Sequence, residues 1–171
     1  MDTVTKHNIL ITSAGRRVEL VQAFQCELKR FSIDASVFAT DMCPELSSAC
    51  QCADASFSVP RVTDKEYIRE LLQLCEEYSI GLVVPTIDTE LRVLAEHREE
   101  YSEHGVHVAN VVIDGLIDSP GTRALPNAKA QPDILMNPVK IAEAFYYLHT
   151  QDRSCWTHEL QLTPFLMKPG F

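Results

Sequence analysis

A chain of 171 residues with a formal net charge of −9 at pH 7 is long enough for one α/β domain with a buried core. The negative charge argues against partners such as nucleic acids and anionic membranes, which attract clusters of lysine and arginine. No apolar run approaches the roughly 20 residues of a membrane span, and the polar start is too short for a secretion signal. The composition therefore predicts a cytoplasmic protein.

The six cysteines are expected to be reduced thiols, because no secretion signal is present: Cys26, Cys43, Cys50, Cys52, Cys75 and Cys155. Cys26 and Cys75 fall on the apolar faces of predicted helices and are interpreted as small core residues. Cys43, Cys50 and Cys52 share one loop, but they form no CxxC pair and no histidine is near in sequence. Free thiols are therefore favoured over a metal site, and we expect no bound metal.

The chain opens on a strand–turn–helix pattern. An apolar run from Ile9 stops at the small residues Ser13, Ala14 and Gly15, and a helical period of apolar residues begins directly afterwards. In a Rossmann-like unit such a helix start offers free N–H groups and a partial positive charge to an anion.

Strands and helices then alternate along most of the chain. The predicted strands are residues 9–12, 36–40, 56–59, 81–87, 106–113 and 158–165. This pattern predicts a Rossmann-like three-layer α/β/α sandwich with a parallel sheet of about six strands in the order 3-2-1-4-5-6. Any ligand is expected in the crevice at the carboxyl ends of strands one and four.

Helix starts and one loop are also predicted from local residue patterns. Thr63 and Glu66 have the spacing of a capping box, and Asp88 and Glu90 open a helix, where carboxylates are stabilising without further function. A place in the ligand cleft is the alternative for these two acids. Residues 114–131 are rich in Pro, Gly, Ser and Asn and are predicted to form a long loop. A helix capped by Asn137, with proline at its first position, should follow.

The first hundred residues resemble the pre-ATP-grasp domain of carbamoyl-phosphate-synthase-like ATP-grasp proteins. The motifs that carry the resemblance are Ile9-Leu-Ile-Thr-Ser-Ala-Gly-Arg-Arg-Val-Glu-Leu-Val21, Ala39-Thr-Asp-Met42, Val59-Pro-Arg-Val-Thr-Asp64 and Val84-Pro-Thr-Ile-Asp-Thr-Glu-Leu91. The resemblance implies a domain that lines the substrate side of a cleft. It also implies that ATP and magnesium are held mainly by two further domains, for which this chain has no room.

The last third of the chain resembles the C-terminal end of a short-chain dehydrogenase/reductase. The motifs are Gly105-Val-His-Val-Ala-Asn-Val-Val-Ile-Asp-Gly115, Ile117-Asp-Ser-Pro120, Asn137-Pro-Val-Lys-Ile-Ala-Glu-Ala-Phe145 and Trp156-Thr-His-Glu-Leu160. The resemblance implies a sixth strand, a substrate loop, a helix and a final strand. Asp114 stands where that family usually has a proline before the glycine that follows the sixth strand.

Two Rossmann-like segments that meet near Gly105 predict a recombined, engineered chimera: one domain made of segment 1–104 and segment 105–171. A divergent natural Rossmann-like protein is the alternative. No tyrosine is followed four residues later by lysine, and the first turn has one glycine instead of G-x-G-x-x-G. The expected function is therefore a scaffold without catalysis. A weak nucleotide- or phosphate-binding domain and a dehydrogenase relic are the alternatives.

The best candidate site is the turn after strand one, with no catalytic residue assigned to it. Two arginines at a helix start oppose the macrodipole, and a bound phosphate or carboxylate would reverse that penalty. An aspartate at the end of strand two lies where a ribose-binding acid would lie in a dinucleotide fold. The candidate residues for weak binding of ATP, NAD or phosphate are Ser13, Gly15, Arg16, Arg17 and Asp41.

The C-terminal end is unusually apolar and predicts a subunit interface. In the reductase family the corresponding helix and last strand commonly form a dimer contact, so we expect a homodimer through this patch. Its members are Tyr146, Tyr147, Trp156, Phe165, Leu166, Met167 and Phe171.

Overall fold

The computed structural model describes residues 8–31 and 34–166. The chain divides into two compact units, Met1–Val108 and Ala109–Phe171, called the first and second unit below. The division falls four residues after the predicted join between segments 1–104 and 105–171. The interpretation of these segments as one domain stays a prediction.

The first unit contains four strands and five α-helices among its described residues. In chain order the elements are β1 (Asn8–Thr12), α1 (Val18–Arg30), β2 (Val37–Asp41), a 3-10 turn (Pro44–Leu46), α2 (Ser48–Cys52), β3 (Ala55–Ser58), α3 (Tyr67–Glu77), β4 (Ile80–Pro85), α4 (Asp88–Glu96) and α5 (Arg98–Glu103).

The four strands form one parallel sheet in the order β3-β2-β1-β4. The middle of β1 pairs with β2 on one side, where Leu10 lies opposite Phe38, and with β4 on the other, where Leu10 lies opposite Val83. This confirms the Rossmann-like α/β class and the predicted order of the first four strands. The order reverses between β1 and β4, the position at which open α/β sheets bind ligands.

Both faces of the sheet are buried, as expected of parallel strands with helices on each side. Side chains alternate along a strand, so one face carries Leu10, Phe38 and Val83, which pack in a core with α3, α4 and α5. The intervening residues, such as Ile9 and Ile11, are also fully buried and point to the opposite face.

The sheet has four strands, not about six, which corrects the predicted strand count. Of the predicted fifth strand, His107 forms only an isolated parallel bridge with Leu82 of β4, and its N–H donates to the carbonyl of Gly81. The remainder of that segment pairs in parallel with the predicted sixth strand, within the second unit, as the predicted order required. An apolar run predicts that a segment is extended, but it does not specify the partner strand.

The second unit has short elements. They are β5 (Asn110–Ile113), β6 (Leu116–Ile117), α6 (Pro120–Arg123), α7 (Pro126–Ala130), a 3-10 turn (Pro132–Ile134), β7 (Leu135–Met136), α8 (Pro138–His149), a 3-10 turn (Arg153–Cys155) and β8 (Glu159–Leu162). Strand β5 pairs in parallel with β8, and β6 with β7, in two separate two-stranded sheets.

Local capping in the second unit is partly as predicted. The side chain of Asn137 accepts a hydrogen bond from the N–H of Val139 at 2.9 Å and starts α8, which confirms that prediction. The long loop predicted over 114–131 is wrong, because this segment contains β6, α6 and α7. A capping box between Ser119 and Thr122 starts α6, and the sequence analysis missed it.

Two other local predictions are wrong. The capping box of Thr63 and Glu66 does not form: Glu66 is itself the N-cap of α3, and its N–H donates to the side chain of Asp64. All six cysteines are free thiols; Cys75 is buried as predicted, but Cys26 is exposed.

Among the described residues no helix has the length and apolarity to cross a membrane, and no group of three metal-ligating side chains converges.

Replacing Gly115 by alanine is expected to destabilise the second unit. A Cβ atom there would lie 2.6 Å from Cδ of Pro164 and 3.0 Å from the sulfur of Met136, and a proline ring has little freedom to move. Overpacking of this kind costs about 1–3 kcal/mol. Chemical denaturation followed by circular dichroism should show a lower unfolding midpoint.

Gly121→Ala provides the matched control. Its new Cβ would meet only the hydroxyl of Ser119, at 4.0 Å, and alanine is favoured over glycine inside a helix. This variant should be as stable as the parent or more stable. Equal midpoints for the two variants would contradict the close packing at Gly115.

Candidate functional site

A cleft of about 330 Å³ opens at the carboxyl edge of the four-stranded sheet. The segments that follow all four strands contribute to it, and we call it the carboxyl-edge cleft. This is the place where the sequence predicted a ligand crevice. The cleft is lined by Ser13, Met42, Val59, Pro60, Arg61, Val62, Thr63 and Ile87.

The turn after β1, residues 13–17, has an unusual backbone. Ser13 has a φ of 48° and Gly15 a φ of 51°, both in the left-handed region. Glycine adopts this region readily, but a serine there is strained and needs surrounding contacts to hold it. The hydroxyl of Thr86, just after β4, donates to the carbonyls of Thr12 and Ser13 at 3.0 and 2.7 Å. The end of β4 therefore holds the β1 turn in place.

A buried carboxylate also holds this turn in place through hydrogen bonds. Glu90 of α4 is fully buried and accepts hydrogen bonds from three hydroxyl groups. Thr12 donates to Oε2 at 2.9 Å, and Ser13 and Tyr67 donate to Oε1 at 2.6 and 2.5 Å. Within residues 8–31 and 34–166 no cation pairs with this carboxylate, so three hydroxyl groups satisfy the charge.

Glu90 lies in the first turn of α4, as the sequence analysis predicted, but it also makes contacts that a helix-opening acid does not need. Helix α4 is preceded by Ile87 as its N-cap and has no side-chain cap, so the position of Glu90 serves another purpose. One signal was present in the sequence. Glu90 lies four residues before the buried Leu94, and residues four apart lie on the same helix face.

The environment fixes the protonation of Tyr67. Burial, followed by the neighbouring Glu90 carboxylate, raises the pKa of the Tyr67 hydroxyl far above its ordinary value. The phenol therefore keeps its proton and acts as a donor to Glu90.

Asp41 lies beside the β1 turn, as the Rossmann pattern predicted, and it is engaged with the backbone there. Its carboxylate accepts the N–H of Gly15 at 3.1 Å and the N–H of Cys43 at 3.2 Å. The carbonyl of Gly15 is held in turn by the hydroxyl of Ser47 at 2.8 Å. The structure thus brings Ser13, Gly15 and Asp41 together, with an internal carboxylate on the Gly15 amide.

Arg16 and Arg17, the other two predicted site residues, are exposed at the start of α1. The guanidinium of Arg17 lies 3.4 Å from the carbonyl of Thr86, and Arg61 is exposed in the wall of the cleft. In the described part of the chain no carboxylate pairs with any of these three guanidinium groups. The binding role of the five predicted residues stays a prediction.

Most polar groups of this site are already engaged within the protein. The carboxylates of Asp41 and Glu90 already accept several protein hydrogen bonds, and the sequence holds no Tyr-x-x-x-Lys pair. The lining of the cleft combines apolar residues with the polar residues Ser13 and Thr63 and the positive side chain of Arg61.

Comparisons with solved structures find dehydrogenases at low identity. A serine dehydrogenase of Escherichia coli has a TM-score of 0.49 and 13% identity, covering 94% of this chain and 99% of that chain. An alcohol dehydrogenase of the archaeon Thermococcus sibiricus, complexed with 5-hydroxy-NADP, has a TM-score of 0.49 and 15% identity, with coverages of 96% and 99%. A short-chain dehydrogenase of Rhodopseudomonas palustris has a TM-score of 0.45 and 14% identity, with coverages of 92% and 98%.

Sequence comparison is more specific for the first unit. A search of curated proteins finds no significant relative of this chain. Residues 9–109, however, match the family model described as PylC-like, N-terminal domain. The match supports the predicted pre-ATP-grasp resemblance of the first hundred residues, and it ends beside the division between Val108 and Ala109. Because it spans more than half of the sequence, the chain belongs to the family of PylC-like N-terminal domains.

Proposed function

We propose that the first unit is a binding domain that takes a nucleotide, or another small phosphate-bearing molecule, weakly in the carboxyl-edge cleft. The observation that carries this proposal is the position of the cleft. Residues that follow each of the four strands line it, and it lies where the strand order reverses. Its volume of about 330 Å³ lies at the lower end of the range for small-molecule sites.

The wall of the cleft suits the apolar part of such a ligand. Met42, Val59 and Ile87 line it, and the side chains of Met42 and Ile87 are 44% and 38% exposed. Apolar side chains that remain this open can cover the face of a planar ring. A base stacked there would remove apolar surface from water on both partners.

The charges near the cleft favour a negatively charged group on the same ligand. Arg61 lines the cleft, and Arg16 and Arg17 stand at the start of α1, where two positive side chains oppose the helix dipole. A phosphate near these guanidinium groups would neutralise them and interact favourably with the helix start.

Absence of catalysis by the chain's own residues is part of the proposal. A reductase would need a lysine that lowers the pKa of a tyrosine for proton transfer, and burial beside Glu90 raises the pKa of Tyr67 instead. The dehydrogenase relic remains the alternative, and it predicts turnover with a nicotinamide cofactor.

We also propose that the chain joins two ancestries, as an engineered or recombined protein would. Two independent boundaries support the proposal: the family match ends at residue 109, and the compact units divide between Val108 and Ala109. Both lie within a few residues of the join near Gly105 predicted from the resemblances.

The second unit is proposed to form a homodimer. Tyr147, Phe165 and Leu166 are 58%, 85% and 49% exposed, which leaves an apolar surface that a second copy would cover. Met167 and Phe171 of the predicted patch lie outside the described residues. A closed symmetric pair is the commonest arrangement for such a surface.

Nucleotide binding is tested by thermal shift and calorimetry with ATP, NAD and inorganic phosphate. At ten times its Kd, a ligand of the folded state raises the free energy of unfolding by about 1.4 kcal/mol. We expect ATP or NAD to raise the melting temperature at millimolar concentration, and Arg61→Ala to weaken that binding by about fivefold.

Arg92→Ala is the control for that experiment, since Arg92 pairs with Glu96 on α4 and does not line the cleft. It should bind like the parent. No shift with any of the ligands would overturn the proposed binding function, and steady ATP hydrolysis or nicotinamide reduction would overturn its non-catalytic part.

The homodimer is tested by sedimentation and light scattering over a range of concentrations. The parent should associate with rising concentration, and Phe165→Glu should remain monomeric because it places a charge in the apolar contact. Leu46→Glu, at a position 83% exposed in the first unit, should associate like the parent. A parent that stays monomeric at high concentration would exclude this dimer.

A further inference from the structure

We propose that Glu90 fixes the hydroxyl of Ser13 as a hydrogen-bond acceptor, so that the β1 turn receives a hydroxyl group of the ligand's sugar and not its phosphate. This inference deepens the proposed nucleotide-binding function and rests on it. It assigns Ser13 as a specificity-determining residue and Glu90 as a positioning residue behind it.

The hydrogen bonds around Glu90 determine where the proton of the Ser13 hydroxyl points. All three partners of Glu90 are hydroxyl groups that donate to its carboxylate oxygens. Ser13 has one hydroxyl proton, and the 2.6 Å contact with Oε1 directs that proton at Glu90. The Ser13 oxygen is then left with acceptor lone pairs only.

The other two partners of Glu90 hold this arrangement in place. Thr12 donates to Oε2, and Tyr67, whose pKa is raised by burial and by Glu90, donates to the same Oε1 as Ser13. The carboxylate is fully buried, so water does not compete for these bonds. A reversal of the Ser13 proton would leave part of a buried charge without its donor, which is costly.

Ser13 faces the cleft while Glu90 lies behind it. Ser13 is half-buried and lines the carboxyl-edge cleft, whereas Glu90 does not. The proposal places a ligand group against the Ser13 oxygen, and the group that suits a pure acceptor is a donor such as a sugar hydroxyl.

Phosphate is a poor partner for the same turn. A phosphate oxygen needs donors, but the Gly15 N–H already donates to Asp41 at 3.1 Å and the Ser13 hydroxyl to Glu90. The two carboxylates would also repel it. The helix start and the guanidinium groups of Arg16, Arg17 and Arg61 are the places left for the phosphates, so the sugar lies against Ser13.

The test compares the affinity for ATP with that for 2′,3′-dideoxy-ATP, which has the same base and phosphates without the sugar hydroxyls. The parent protein should bind ATP about tenfold more tightly, the effect of one good hydrogen bond. Ser13→Ala should bind the two nucleotides equally. Titration calorimetry gives both constants, and circular dichroism confirms the fold of each variant.

Two further variants separate positioning from folding. The amide of Glu90→Gln can donate to the Ser13 oxygen, which frees the serine proton and should reduce the preference for ATP over the analogue. Ser102→Ala removes a hydroxyl on α5 that donates to the carbonyl of Arg98, and it should keep the tenfold ratio.

The outcomes distinguish this inference from the function on which it rests. Equal binding of ATP and the analogue by the parent would overturn the inference while leaving nucleotide binding intact. An unchanged ratio in Ser13→Ala would overturn it too. If neither nucleotide binds to the parent, the proposed function fails and the inference fails with it.

Discussion

The first unit depends on one buried negative charge that hydroxyl groups satisfy. Glu90 ties together the end of β1, through Thr12 and Ser13, and the start of α3, through Tyr67. A carboxylate excluded from water is tolerated only where enough donors surround it. Removal of any donor leaves a buried oxygen without a hydrogen bond, which lowers the stability of the fold. The geometry of the carboxyl-edge cleft therefore follows from hydrogen bonds made beneath its surface.

Much of the first unit could be predicted from the sequence, because its signals are local. The apolar run at Ile9–Ile11, the small residues of the β1 turn and the apolar stretch of β4 each specify a strand or a strand end by composition alone. Parallel order then follows from the alternation of strands and helices. The same reasoning placed Asp41 next to the β1 turn, where its carboxylate contacts the amide of Gly15.

Other features depend on contacts distant in sequence, and no local pattern contains them. Glu90 meets Thr12 across 78 residues, so its role was invisible in a helix-start motif. The segment around Asn110 was correctly predicted as extended and as the parallel neighbour of the last strand, β8, but its predicted pairing with β4 is reduced to one bridge at His107. Prediction failed for the side-chain contacts of Glu90 with distant residues, and it succeeded for the strand order that the alternation of strands and helices implies.

The left-handed backbone of Ser13 has a consequence for how this position tolerates change. A glycine would adopt a φ of 48° without strain, whereas this backbone conformation costs a serine about 1–3 kcal/mol. The Ser13 hydroxyl offsets part of this conformational cost through its hydrogen bond to Glu90. A relaxed backbone and a satisfied Glu90 are thus opposing demands on a single residue: glycine would fulfil the first at the expense of the second, and alanine would fulfil neither.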